Sequence, residues 1–269
     1  MSYPFKKPEN EPVKDYLPGS VEKKSLKEKI VELKNQRVDV PLIINGKDVI
    51  TDSISTIEVP HDHDTQLGKF YNASNEHVDL AIESNLRAWK SWSQVSLEER
   101  CAIFIKAADL LSTTWRDTIN AATMLNMSKN VYQAEIDAAC EMIDFFRFNS
   151  WYAYELSLQQ PMYSSTHIKN SLEMRPLEGF VFAVSPFNFA SIGGNLPSSP
   201  ALMGNVSLWK PASSAVLPAY YIMRLLQESG LPDGVINFIP GSGKEMGSRV
   251  IENSDLAGIH FTGSTKVFK

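Results

Sequence analysis

Cysteine is scarce in this sequence, which has only Cys101 and Cys140 among its 269 residues. Two thiols are too few for the disulfide framework that holds small secreted domains together, so the sequence predicts a protein of a reducing compartment. Its stability must then come from an apolar core. Hydrophobic residues make up 43% of the chain, and its length is enough for one large domain or two small ones.

Long apolar runs and an excess of positive charge are also missing. The densest apolar stretch, at residues 180–184, is far shorter than the roughly 20 residues that a membrane-spanning helix needs. A formal net charge of −5 and a pI near 5.6 provide no basic surface for nucleic acid. We therefore expect neither a membrane nor a nucleic acid as a partner.

The first twenty residues contain neither arginine nor an apolar core. Arginine is typical of mitochondrial targeting segments, and an apolar core is typical of secretory ones. No targeting segment is therefore expected in this stretch, and a cytoplasmic location is the default.

The patterns that are present divide the chain into three segments. Residues 1–40 predict a proline-rich extended arm and a short amphipathic helix. Residues 41–160 begin with a β-hairpin, because Asn45 and Gly46 readily adopt the positive φ angles of a tight turn, and continue as amphipathic helices. Residues 161–269 alternate apolar strands with helices, which implies right-handed crossovers and a parallel sheet.

The predicted fold class is therefore α/β. We expect the first half of a doubly wound, Rossmann-like nucleotide-binding sheet, preceded by a mostly helical region with a hairpin. Its strands are expected at residues 179–186, 206–210, 235–239 and 258–261.

Polar loops follow three of these strands, and ligands of such sheets bind beyond the carboxyl ends of the strands. Asn188 carries an amide that is able to stabilise an oxyanion. Lys210 is a donor for ribose hydroxyls, and the backbone at Gly263 and Ser264 opens a helix that would attract a phosphate. Each has a plainer interpretation: a capped turn, a solvated lysine and a strand-to-helix turn. Short motifs are weak when they are taken singly, so the prediction of a nucleotide site rests on their combination.

Two other features, a histidine pair and the two cysteines, resemble reactive sites, but we expect neither to be a metal site or a nucleophile. His61 and His63 lie on one face of an extended segment, but no third ligand cluster accompanies them. Zinc sites usually have at least three protein ligands, so no metal is predicted. Cys101 and Cys140 lie on apolar helix stripes, whereas a reactive thiolate needs an accessible, electropositive setting.

Several motifs in a fixed order resemble the aldehyde dehydrogenase superfamily. They are PFNF at 186–189, LWKP at 208–211, GLPDG with VINF at 230–238, and FTGS at 261–264. Other motifs resemble its 1-pyrroline-5-carboxylate dehydrogenase branch, which oxidises L-glutamate 5-semialdehyde to L-glutamate with NAD in proline degradation. They are QAEIDA at 133–138, IDFFRFN at 143–149, SIGGNLP at 191–197, ALMGN at 201–205 and the ending GSTKVFK at 263–269. The resemblance covers nearly the whole chain.

The resemblance implies roles for individual residues. Asn188 would donate to the oxyanion that forms when a cysteine attacks the aldehyde substrate. Lys210 would bind the adenosine ribose of NAD. Glu141 would lie near the amino group of the substrate, although a solvated helix face is at least as good an interpretation of it. The further cofactor contacts that the resemblance implies are Ser185, Pro186, Phe187, Ser213, Gly263, Ser264, Thr265, Lys266 and Val267.

Ser213 leaves the choice between NAD and NADP to the family alone. Many relatives carry a glutamate at this position, and its carboxylate would repel the 2′-phosphate of NADP. The family otherwise implies a homo-oligomer and, for this branch, the mitochondrial matrix.

The resemblance also implies what this stretch lacks. In the family the nucleophilic cysteine and the general-base glutamate lie downstream of the position of Lys269, so the chain is expected to be truncated before the catalytic domain. Two alternatives stay open. One is a catalytically empty nucleotide-binding or assembly module, and the other is an aldehyde dehydrogenase of another substrate class.

Overall fold

A computed structural model describes residues 6–268 of the chain. The first five residues of the predicted arm, and Lys269 at the end of the GSTKVFK motif, lie outside the described residues. The α-helices are α1 (Val21–Gln36), α2 (Asn75–Trp92), α3 (Leu97–Ser112), α4 (Arg116–Met127), α5 (Val131–Ala134), α6 (Met142–Ser157), α7 (Ala190–Leu202), α8 (Val216–Ser229), α9 (Gly243–Ile251) and α10 (Thr265–Phe268). The strands are β1 (Val38–Val40), β2 (Leu42–Ile44), β3 (Lys47–Val49), β4 (Ile54–Val59), β5 (Asp62–Tyr71), β6 (Phe180–Val184), β7 (Val206–Lys210), β8 (Ile236–Phe238) and β9 (Leu256–Phe261).

The larger sheet has six strands in the order β3-β2-β8-β7-β6-β9. Strands β8, β7, β6 and β9 are parallel to one another. The chain moves outward from β6 through β7 to β8 and then returns to β9 on the other side of β6. This reversal is the arrangement of a doubly wound nucleotide-binding sheet, and the predicted α/β class is confirmed. Among the described residues, no helix is both long and apolar enough to cross a membrane.

The predicted hairpin is present as β2 and β3, with Asn45 and Gly46 at positive φ. It also extends the larger sheet, because Ile43 of β2 pairs antiparallel with Phe238 of β8. The side chain of Asn237 accepts a hydrogen bond from the backbone of Asn45 at 2.8 Å. This pairing joins residues that are far apart in the chain, so no local pattern predicted it.

A second sheet, in the order β1-β5-β4, was not predicted. Its strands β4 and β5 pair antiparallel through an irregular register, and most of their side chains are at least partly exposed. Strands of this kind lack the continuous apolar run that indicated the buried strands of the larger sheet.

Helix α7 also lacks a clear signal in the sequence, because it contains Gly193, Gly194, Pro197 and Pro200. Glycine and proline both disfavour a helix interior. A Cβ atom on Gly194 would lie 2.6 Å from the terminal methyl carbon of Met142. This glycine therefore allows α7 to approach α6 closely, and packing overrides the local preference.

A seven-residue π-helix, Glu135–Glu141, separates α5 from α6 and holds the N-terminal arm. The buried carboxylate of Glu135 pairs with the buried guanidinium of Arg116, which also pairs with Glu11 of the arm. Tyr16 and Asn120 donate to the same carboxylate at 2.7 and 2.8 Å. The described part of the arm is thus fixed to the helical layer by a buried, satisfied charge.

The environment of Glu135 favours its ionised form. Burial opposes ionisation, but the hydrogen bonds from Arg116, the Lys14 backbone and Tyr16 outweigh it and hold the pKa of Glu135 below its ordinary value. The pKa of Tyr16 is raised by burial and by its bond to Glu135. The arrangement is therefore carboxylate, guanidinium and neutral phenol at neutral pH.

Replacing Glu135 with alanine should lower the free energy of unfolding by about 3–5 kcal/mol, because the guanidinium of Arg116 would stay buried without its carboxylate. Urea unfolding at pH 7 measures this. The pKa of Glu135 is lowered by folding, so its contribution is complete above the ordinary value of 4.5 and is lost as the pH falls through the lower, folded-state pKa. The difference between wild type and variant should accordingly shrink in acid.

The matched control is Asp48→Asn, which removes a more exposed carboxylate that pairs with Arg224. Such a pair contributes up to about 1 kcal/mol. Equal losses of stability in the two variants would contradict a central role for Glu135.

Candidate active site

Three loops leave the larger sheet from one edge. Val184, the last residue of β6, pairs with Lys210 at the end of β7 and with Phe261 at the end of β9. The carboxyl ends of the three strands therefore lie at the same level. Strand β6 is also where the strand order reverses, and this is the place at which doubly wound sheets bind their ligands.

The loop after β6 presents Asn188. It begins at Ser185, whose buried hydroxyl donates to the Gly193 carbonyl at 2.8 Å and accepts from the Trp209 indole at 2.7 Å. Pro186 is buried, and Phe187 follows with 69% of its surface exposed. The side chain of Asn188 is exposed and makes no hydrogen bond within residues 6–268.

A carboxylate from the π-helix holds the other end of this loop. Asp137 accepts from the backbone amides of Ala190 and Ser191, both at 3.0 Å, and from the Ser191 hydroxyl at 2.7 Å. Lys129 donates to Asp137 at 2.6 Å and lies 4.3 Å from the centre of the Phe189 ring. No role was predicted for Lys129, and Asp137 was noted only as part of the QAEIDA motif at 133–138. In the sequence they look like ordinary polar residues of a helical segment, and no local signal indicated the π-helix.

Glu141, at the end of the π-helix, lies beside the same loop. Its half-buried carboxylate lies 2.9 Å from the Ser191 hydroxyl oxygen, whose single proton it shares with Asp137. Asp144 and Arg147, one and two turns later, instead bind the arm: Asp144 accepts from Asn10 at 2.7 Å, and Arg147 pairs with Glu11. The carboxylate of Glu141 is thus directed to α7 rather than to the surface that its neighbours share.

Lys210 is a half-buried cation with no carboxylate partner among the described residues. Burial lowers the pKa of its amine. A Cβ atom on Gly243 would lie 3.7 Å from the Lys210 nitrogen, so the side chain runs along the first turn of α9. A helix N-terminus does not stabilise a cation. Both features leave the amine available for hydroxyl or anionic groups of a ligand.

The loop after β9 is exposed. Gly263 turns against the ring of Phe261, where an added Cβ atom would lie 2.5 Å from the ring. Helix α10 begins at Thr265, and the carbonyl of Ser264 accepts from the backbone of Val267 at 3.0 Å. The same segment includes Lys266, and it borders an open cavity of about 310 Å³.

Ser213 is exposed in a short 3₁₀ turn, Ser213–Ala215, that follows β7 at the same edge of the sheet. The predicted cofactor contacts therefore lie in three neighbouring loops. Glu141 approaches the first loop from the helical layer.

Neither cysteine has the environment of a nucleophile. Both are buried, and burial raises the pKa of Cys101 to about 11 and that of Cys140 to about 12. His61 and His63, for which no metal was predicted, make other contacts. The His61 ring lies 2.8 Å from the Ser128 hydroxyl, and the His63 ring lies 2.9 Å from the Pro60 carbonyl. The described part of the chain contains no group of three or more metal-ligating side chains.

Comparison with known proteins agrees with the motifs. The aldehyde dehydrogenase family matches residues 50–269. The chain is 47% identical to the mitochondrial delta-1-pyrroline-5-carboxylate dehydrogenase of Dictyostelium discoideum over 261 residues, which are 97% of this chain and 47% of that protein. It is 49% identical to the enzyme of the same name from Agaricus bisporus, again over 97% of this chain and 48% of the relative.

A solved structure shows the same likeness. The delta-pyrroline-5-carboxylate dehydrogenase of Mycobacterium tuberculosis, bound with NAD, matches with a TM-score of 0.97 and 45% identity. The match covers 100% of this chain and 50% of that chain. The chain therefore spans about half the length of the relatives it matches. The family predicted from the motifs is confirmed.

The native chain should resist thiol reagents at pH 8, because its two thiols are buried and weakly acidic. A thiol of pKa about 11 is roughly one-thousandth thiolate at this pH, against about one-tenth at the ordinary value of 9.0. Absorbance after addition of Ellman's reagent measures the reactive thiols, and the same chain in guanidinium is the control, with both cysteines reactive. Stoichiometric labelling of the native chain would show that one thiol is available as a nucleophile.

Proposed function

Because this chain belongs to the aldehyde dehydrogenase family, we propose that it forms the nucleotide-binding part of an NAD-dependent dehydrogenase that oxidises L-glutamate 5-semialdehyde to L-glutamate. The relatives named above carry this activity in their names, and one of them binds NAD. The observation that carries the proposal is the unpaired amide of Asn188 at the point where the strand order reverses, beside the loops after β7 and β9.

The residues at this edge fit a dinucleotide. Lys210 supplies a desolvated amine without a carboxylate partner, suited to ribose hydroxyls. The exposed backbone around Gly263 and Ser264, followed by Thr265, Lys266 and Val267, is suited to the pyrophosphate. The loop from Ser185 to Phe187 lines the channel, and Ser213 places no carboxylate against the ribose. When bound, NAD supplies the hydride acceptor.

Asn188 stabilises the reacting oxygen. A thiolate that attacks the aldehyde carbon forms a carbon–sulfur bond and moves the carbonyl electron pair onto oxygen. An amide N–H held in place before the attack stabilises that charge without reorganisation. Cys101 and Cys140 are buried and keep their protons, so the nucleophile and its general base belong to the part of the enzyme that the relatives have beyond the matched half.

Glu141 binds the amino group of the substrate. The Glu141 carboxylate contacts the Ser191 hydroxyl, just after the Asn188 loop. The α-ammonium group of the substrate would donate further hydrogen bonds to this carboxylate. The names of the relatives from Dictyostelium and several other organisms include the word mitochondrial, which supports the proposal that the enzyme works in the mitochondrial matrix. A homo-oligomer is part of the same proposal.

Asn188→Ala should lower kcat by about 10² to 10³ and leave NAD affinity nearly unchanged, because an oxyanion donor acts mainly in the transition state. The test uses a fusion of this chain with the part of the Dictyostelium relative that follows the aligned segment, here named the fusion enzyme. NADH formation from glutamate semialdehyde is the readout. Asn253→Ala is the matched control, since Asn253 lies just before β9 at the opposite end of the sheet and should leave kcat unchanged.

A fusion enzyme that folds but does not oxidise the semialdehyde would contradict the proposed reaction. A fusion enzyme whose kcat survives Asn188→Ala would remove Asn188 from the oxyanion site and leave the reaction itself in place.

Lys210→Ala should weaken NAD binding by about tenfold, because a charged hydrogen bond to the ribose contributes roughly 1.5 kcal/mol or more. Calorimetric titration of NAD into the 269-residue chain measures this directly, without turnover. Lys27→Ala is the matched control, since Lys27 is exposed on α1. Unchanged affinity in the Lys210 variant would place the ribose elsewhere.

A further inference from the structure

The carboxylate of Asp137 is buried and fully engaged. Only 2% of the residue is exposed, and its two oxygens accept four hydrogen bonds. Three of the donors belong to the first turn of α7 and the fourth is Lys129. A buried charge is stable only when it is paired and hydrogen-bonded. The Asp137 carboxylate therefore holds its four donors in place.

Asp137 replaces a cap that α7 lacks. A helix leaves its first backbone amides without partners, and the residue before the helix usually supplies an acceptor. Here that residue is Phe189, which has no acceptor in its side chain. The carboxylate from the π-helix binds the first two amides instead, at Ala190 and Ser191, and it also interacts favourably with the helix dipole.

The capped turn begins two residues after Asn188. At the other end of the loop, Ser185 is bound to the Trp209 indole and to the Gly193 carbonyl of α7. Only three residues, 186–188, lie between Ser185 and Phe189, the residue that precedes α7. Fixing both ends of so short a segment fixes the backbone from which the Asn188 side chain extends.

Lys129 adds to the same constraint. It neutralises Asp137 at 2.6 Å, and its amine lies over the ring of Phe189, the residue next to Asn188. A cation over an aromatic face is attracted by the ring. The lysine therefore ties the carboxylate to the loop, and it binds the same Asp137 oxygen as the Ala190 amide.

From this geometry we infer that Asp137, supported by Lys129, is a positioning residue for the Asn188 amide. The inference rests on the proposed function, because Asp137 acts on the reaction only through Asn188. An unanchored loop would misplace the donor relative to the developing oxyanion, and a misplacement of about 1 Å reduces rates by about 10²-fold.

A double-mutant cycle in the fusion enzyme tests the inference. Asp137→Ala should lower kcat by about 10- to 100-fold while the dissociation constant of NAD changes by less than about twofold. In the variant that also carries Asn188→Ala, kcat should be close to that of Asn188→Ala alone, because the donor that Asp137 positions is already gone. Multiplied losses would overturn the inference, since they would show that Asp137 acts independently of Asn188.

Hydrogen exchange of the 269-residue chain supplies a readout that does not depend on turnover. Asp137→Asn keeps one acceptor oxygen and removes the charge, so it serves if Asp137→Ala does not fold. At least one of the amides 190 and 191 should exchange faster in this variant, because each binds a different oxygen of Asp137, while the amides of α8 should be unchanged. Uniformly faster exchange would show a general loss of stability. Unchanged exchange at both residue 190 and residue 191 would show that the carboxylate does not cap α7. Either result overturns the inference.

Asp48→Asn is the matched control, because the Asp48 carboxylate pairs with Arg224 of α8 and the variant should change neither kcat nor exchange at α7. Together, the two experiments separate the capping by Asp137 from the catalytic role of Asn188. If residues 190–191 lose protection in the Asp137 variant but Asn188→Ala leaves kcat unchanged, the proposed role of Asn188 is contradicted and the capping by Asp137 stands.

Discussion

The buried carboxylate of Glu135 is the constraint on which the neighbouring structure depends. An ionised group in an apolar interior is stable only with complete compensation, and its partners come from the arm and from α4: Arg116, Tyr16, Asn120 and the backbone of Lys14. This requirement fixes the π-helix against both elements. The same π-helix then carries Asp137 to the start of α7. The charge of Glu135 thus fixes the π-helix from which Asp137 reaches the end of the Asn188 loop.

The strand order of the larger sheet positions the other loops of the crevice. Parallel strands end at one edge, and the reversal at β6 opens a gap between the loops after β7 and β9. Packing beneath the edge is dense, with the Trp209 and Phe238 rings 5.1 Å apart in an edge-to-face contact. The indole of Trp209 also donates to Ser185, so the apolar core and the polar loop are held by the same side chain.

The sequence predicted those features that a local pattern encodes. Strands β6 to β9 appear as apolar runs followed by breakers, and the hairpin appears as Asn45 with Gly46. It did not predict α7, because the fit of Gly194 against Met142 is a tertiary contact, nor the pairing of Ile43 with Phe238. Asn188 and Lys210 could be singled out because their chemistry follows strand ends. Asp137 could not, because its importance arises from the π-helix and from amides more than fifty residues away.

The charges near the loop bear on which steps of the proposed reaction the described residues could carry out. The carboxylate of Asp137 is saturated by four donors, and that of Glu135 is held ionised by Arg116. Because the pKa of Glu135 is held below its ordinary value, Glu135 is a poor proton acceptor at neutral pH, since general bases work best with a pKa near the working pH. The thiols are buried and protonated. In the proposed site the crevice keeps two donors, the Asn188 amide and the Lys210 amine, and the half-buried carboxylate of Glu141, and all three serve to bind and orient. In the proposed reaction, the groups that break bonds therefore approach from outside this sheet, across the edge where its three loops meet.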